Sequence, residues 1–89
     1  MTVKTKDNKL VYLNMSQWRH IAYRHPEMVN KMDQVEEALQ HADVMIIRED
    51  KRKYYKYQKD ERKYVMVAVR MLNGDGFIIT SYMTRKVER

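Results

Sequence analysis

The hydrophobic period changes partway along the chain. Met28, Met32, Val35 and Leu39 recur at intervals of four, three and four, which places them on one stripe of a helix reaching about Gln40. After Asp43 the pattern shortens. Val44 to Arg48, Lys53 to Gln58, Tyr64 to Arg70 and Phe77 to Tyr82 are rich in β-branched and aromatic residues and are separated by short polar breaks, which predicts four strands. In the third, Val65, Val67 and Val69 alternate with Tyr64, Met66, Ala68 and Arg70, so both faces are largely apolar and the strand is central. The breaks at 49–51 and 60–62 are charged, and Asn73-Gly74-Asp75-Gly76 holds two strong hairpin signals. Connections this short join antiparallel neighbours.

Ahead of the stripe, Ser16 is a suitable N-cap and Gln17 to Arg24 reads as a short helix. His25-Pro26 ends it, because the residue before a proline is pushed out of helical geometry. Pro26 and Glu27 then suit the first turn of the second helix. Lys9 to Leu13 fits either an edge strand or an ordered lead-in, and the pattern does not choose. The expected fold is α+β, with two N-terminal helices packed on a four-stranded antiparallel meander sheet. One domain is expected over 1–89, with its core in about 10–84.

The composition of the 89 residues, 44% hydrophobic and 34% charged, is that of a folded globular chain. With no Cys there is no disulfide, no thiolate nucleophile and no Cys-based zinc site. Apolar runs such as Val44 to Ile47 are far shorter than the ~20 residues that cross a bilayer. Residues 1–10 lack the pattern of a secretory signal. A cytoplasmic protein with no membrane partner is expected. No HExxH, Walker or glycine-rich phosphate loop occurs, and His20 with His25 are misplaced on a regular helix for one ion, so no metal or cofactor is expected.

Charge is distributed unevenly. Residues 1–45 carry six basic and six acidic groups and residues 46–89 carry twelve and six, so the net +6 belongs to the second half. A one-sided positive field attracts polyanions. In Lys51-Arg52-Lys53-Tyr54-Tyr55-Lys56-Tyr57-Gln58-Lys59, cations alternate with aromatic rings, a combination that holds phosphates and offers faces to unstacked bases. The competing reading is an ordinary solvated strand. RNA is the leading partner.

On a helical wheel Trp18, Ile21, Ala22 and His25 fall on one side and Gln17, His20 and Arg24 on the other. His25 therefore reads as a structural ring, while His20, one turn from Arg24 on the polar side, is the better acid–base candidate. His41, near the end of the second helix, receives no chemistry. Thr80 and Tyr82, two apart at the polar end of the last strand, share a face on which paired hydroxyls can orient a phosphate oxygen.

Trp18-x-His20-Ile21-x-x-Arg24-His25-Pro26-Glu27, the Tyr54-Tyr55-Lys56 strand, the valine-rich strand and the closing Thr80-Ser81-Tyr82 together resemble the barnase-EndoU-colicin-RelE nuclease superfamily, and within it the phage-associated branch. The likeness extends over about residues 10–84. It implies helices on an antiparallel sheet of about four strands and cleavage of RNA without metal, by attack of a ribose 2′-hydroxyl to give a cyclic phosphate. Carried over by position, it implies that His20, Lys56, Thr80 and Tyr82 are catalytic, with Arg24 beside Lys56 as an electrostatic clamp. Lys53 and Tyr55 join Arg24 as RNA-binding residues. Ser81 stands where the family more often has alanine, and Ala42 where it has proline. A toxin-like nuclease of this kind implies an acidic antitoxin or immunity protein as partner, or delivery into a competitor. The alternatives are a non-catalytic RNA-binding or protein-interaction module of the same fold, and a structural phage or mobile-element protein that binds protein alone.

Overall fold

Asn14, whose side chain accepts the Gln17 N–H at 2.7 Å, opens helix α1 (Met15–Arg24) in the computed structural model, which describes residues 1–89. The cap is thus Asn14 and not Ser16, which sits inside the first turn. At the other end His25 leaves helical geometry and donates its backbone N–H to Ile21 O. Pro26 then begins a single 3₁₀ turn, Pro26–Met28, and a break at Lys31 separates it from helix α2 (Met32–Gln40). The expected second helix is therefore divided. Its stripe survives the break, with Met28, Val35 and Leu39 fully buried and Met32 packed against them.

Six strands form one sheet, β1 (Thr2–Lys4), β2 (Leu10–Tyr12), β3 (Val44–Arg48), β4 (Lys51–Gln58), β5 (Lys63–Leu72) and β6 (Asp75–Thr84), in the order β1-β2-β6-β5-β4-β3. The four expected strands are β3 to β6, and they do form an antiparallel meander. The four-stranded, all-antiparallel sheet is nevertheless incorrect. β2 adds to β6 in parallel, pairing Val11 with Gly76, and β1 folds back antiparallel on β2. A three-residue strand carries too few positions for an alternation to register. The parallel pair needed a long crossover, which α1, α2 and the meander provide.

Gly76, read as part of a turn, is in fact a strand residue. A Cβ there would come within 2.7 Å of a Val69 methyl and 2.9 Å of a Val11 methyl, so its bare backbone lets β2 approach β6. The turn is only Asn73-Gly74, with φ of 52° and 89°, as a two-residue hairpin of type I′ requires.

α2 and α1 cover one face of the sheet. Val35, Ala38 and Leu39 from α2 and Trp18 and Ile21 from α1 meet Tyr54, Val65, Val67, Val69 and Ile78 in the core. The loop between β1 and β2 is tied to the sheet through Asp7, which accepts hydrogen bonds from Thr5 Oγ1 at 2.6 Å and Tyr54 Oη at 2.9 Å and pairs with Arg52. On the opposite face Tyr55 is buried beneath the C-terminal segment, its hydroxyl 3.3 Å from the Glu88 amide nitrogen, with Tyr64 edge-on at 6.0 Å. No helix is long and apolar enough to cross a membrane.

Candidate active site

β2 stops pairing at Tyr12 opposite Phe77, whereas β6 continues to Thr84. The stretch of β6 beyond Phe77 would thus be an open sheet edge, and α1 lies along it. Gln17 Nε2 donates to Ile79 O at 2.5 Å, taking up an edge carbonyl, as buried or covered edges require. Across on β5 the register slips between Ala68, paired with Thr80, and Val69, paired with Ile78. Ile79 is the extra residue of this β-bulge, and the bulge reverses the inward–outward alternation of all that follows it. Ile78 enters the core while Thr80 and Tyr82 turn to the groove.

The groove between α1 and β6 is a cavity of about 330 Å³. His20, Arg24 and His25 line one wall, and Ile79, Thr80 and Tyr82 the other. His20 and Arg24 are exposed, one helical turn apart. His25 lies beyond the helix end, so the wheel that put it with Trp18 and Ile21 does not govern it. Its ring packs on Tyr82 with centroids 5.1 Å apart at 39°. Burial, and then the nearby Tyr55 and Glu88, push the Tyr82 hydroxyl above its ordinary value of 10.0, so at neutral pH it is a hydrogen-bond donor and no base.

Of the residues singled out from sequence, His20, Arg24, Thr80 and Tyr82 meet in this groove. Three do not. Lys56 lies two strands away, on the helix-covered side with Val65, its Nζ 3.3 Å from Asp43 Oδ1. The other Asp43 oxygen accepts the Tyr57 backbone N–H at 2.8 Å. That bond first, then Lys56, holds the Asp43 carboxyl below 3.8 although burial opposes them. Lys53 lines a separate recess with Arg48, Lys51 and the C-terminal segment, and Tyr55 is only 2% exposed. Ser81 is buried and donates to Met66 O at 2.7 Å, so its hydroxyl is committed to the fold.

The groove therefore presents two imidazoles, a guanidinium and two alcohols. One of these, His25, has a role that the sequence reading does not give it, and so does the Gln17 bridge beside the groove. Gln17 had a signal, since the wheel placed it with His20 and Arg24; His25 had one in Pro26, which takes it out of the helix and so off the wheel. Nowhere do three or more His, Asp or Glu side chains gather as metal ligands. No family model, curated protein or solved structure matches the chain.

Proposed function

We propose that the groove binds a phosphodiester of RNA and that the protein is an endoribonuclease cleaving by attack of the ribose 2′-hydroxyl. The supporting observation is the convergence of His20, Arg24, His25, Thr80 and Tyr82, from segments more than fifty residues apart, on one cavity. The resemblance described above points the same way. The reaction needs a base for the 2′-OH, an acid for the leaving 5′-oxygen and fixed positive charge for the phosphorane. His20 takes the 2′ proton as the oxygen bonds to phosphorus. His25 gives its proton to the 5′-oxygen as the P–O5′ bond breaks, leaving a 2′,3′-cyclic phosphate and a 5′-hydroxyl. Arg24 holds the non-bridging oxygens, with Thr80 and the protonated Tyr82 as further donors. Lys56 takes no part, since Asp43 holds it two strands away. The net +6 of the chain makes an acidic protein the natural neutralising partner.

Incubating the purified protein with total RNA in excess EDTA, followed by end-group analysis, tests this reading. Cyclic-phosphate ends that disappear in His20→Ala are expected; intact RNA, or ends produced equally by that variant, would overturn it. The binding-only reading draws on Arg48, Lys51 and Lys53 lying outside the groove, and it predicts retained RNA with no new ends.

A further inference from the structure

The histidine groove has a neighbour beyond Gln17, whose side chain bridges to Ile79. On the other side of that side chain, where β2 gives way to α1, opens the largest cavity of the molecule, about 510 Å³, lined by Tyr12, Asn14, Gln17, Phe77 and Ile78 among others. It is consecutive with the histidine groove along both walls. Gln17 is one helical turn before His20 and Ile21, and Ile78 directly precedes Ile79 on β6. From Phe77 to Thr80 is three residues, at most ~10 Å of strand, a step that one nucleotide bridges.

Three features define what fits. Tyr12 and Phe77 lie side by side across the parallel pair, ring centroids 5.6 Å apart and tilted by 30°, and Phe77 is 44% exposed, so an aromatic face is open to solvent. The two amides at the rim each commit one end to the fold. Asn14 gives its oxygen to the Gln17 N–H, and Gln17 gives its nitrogen to the Ile79 carbonyl. What remains is a donor on Asn14 and an acceptor on Gln17, the complement of a heterocycle edge that carries both. No charged side chain lines the cavity, and the Met1 α-ammonium at its wall already donates to Leu13 O at 2.8 Å, so the phosphate belongs next door, with Arg24.

We infer that this cavity is the base-binding subsite of the groove, in which an unstacked nucleobase of single-stranded RNA lies against Phe77 and Tyr12 and shows its edge to Asn14 and Gln17. The inference rests on the proposed RNA site, and it names the substrate as single-stranded. A base held in a duplex cannot enter a recess between a helix and a sheet edge, and protein readout of RNA generally targets unstacked bases.

The test uses a short 2′-O-methyl oligonucleotide, which has no 2′-OH to attack, carrying 2-aminopurine at successive positions. Its fluorescence falls when the base stacks on an aromatic ring. One position is expected to be quenched on binding, and replacing it by an abasic site should weaken binding by about 5- to 150-fold, the range for one stacked base. Phe77→Ala should cause a similar loss, while Phe77→Trp, which keeps a ring on the same exposed strand position, should restore quenching. Equal binding by Phe77→Ala and the parent, quenching at no position, or no binding at all would overturn the subsite. The nuclease reading is scored separately. Cleavage of natural RNA with no quenched position sinks the subsite alone, and quenching with no cleavage sinks the nuclease alone.

Discussion

His20 and Lys56 both looked suited to catalysis in the chain, and their surroundings now separate them. His20 is exposed at the groove, opposite Thr80 and Tyr82, so His20→Ala is expected to slow RNA cleavage by about 10²- to 10⁴-fold, the usual worth of a positioned acid or base. RNA binding, measured in parallel by filter retention, should be nearly unchanged. Lys56→Ala should leave the cleavage rate within about twofold and cost no more than about 1 kcal/mol of stability, since a partly exposed ion pair is worth little. Asp7 carries more. Burial alone would raise its carboxyl, but hydrogen bonds from Thr5 and Tyr54 and the Arg52 charge outweigh it and hold the group below 3.8. Asp7→Ala would strand the Arg52 guanidinium, costing about 1.5–3 kcal/mol, a fall in Tm of roughly 10 °C for a domain this small. Asp7 and Asp43 are both depressed on folding, so their stability is present above about pH 4 and is lost as the pH falls through the folded values. Chemical unfolding of Asp7→Asn should accordingly show a flatter acid limb than the parent. The helix polar stripe and the Thr-x-Tyr spacing were visible in the sequence because they depend on local periodicity. Lys56 lies outside the groove because the strand order puts β5 between β4 and β6, an order that the pattern within β4 does not record.

At the scale of elements, the site exists because β2 is short. It pairs with β6 only as far as Phe77, and the remaining edge is free for α1 to cover. Gly76→Ala should disturb this junction, since the new methyl would press on Val69 and Val11; overpacking of this kind costs about 1–3 kcal/mol. Amide hydrogen exchange should show the loss first in β1 and β2, with β4 and β5 still protected, and uniform loss over the whole sheet would count against the junction as the weak point. The meander was legible because β3 to β6 run five to ten residues each and end in recognisable turns. β1 was not, and β2 was only one of the two readings open for Lys9 to Leu13, both strands being three residues long and β2 being secured by a glycine whose neighbours Asn73, Gly74 and Asp75 suggest a longer turn. The bulge at Ile79 left no sequence signal, yet it turns Thr80 and Tyr82 toward α1.

For the molecule as a whole, the basic excess of the second half does not ring the groove. Arg48, Lys51 and Lys53 line a recess at the β3–β4 end, while Arg24 is the cation beside the histidines. Single-stranded RNA binding should weaken with salt, and Arg24→Ala should lower the slope of log K against log salt by about 0.7, one phosphate's worth; Lys56→Ala should leave the slope alone. The chain has only three histidines, two in the groove and His41 at the far end of α2, which makes them internal reporters of where a phosphodiester sits. Titrating a non-cleavable 2′-O-methyl oligonucleotide while following the three imidazole signals by NMR should shift His20 and His25 together and leave His41 still. Bound oligonucleotide with His20 and His25 unmoved would show that the α1–β6 groove is not where RNA is held.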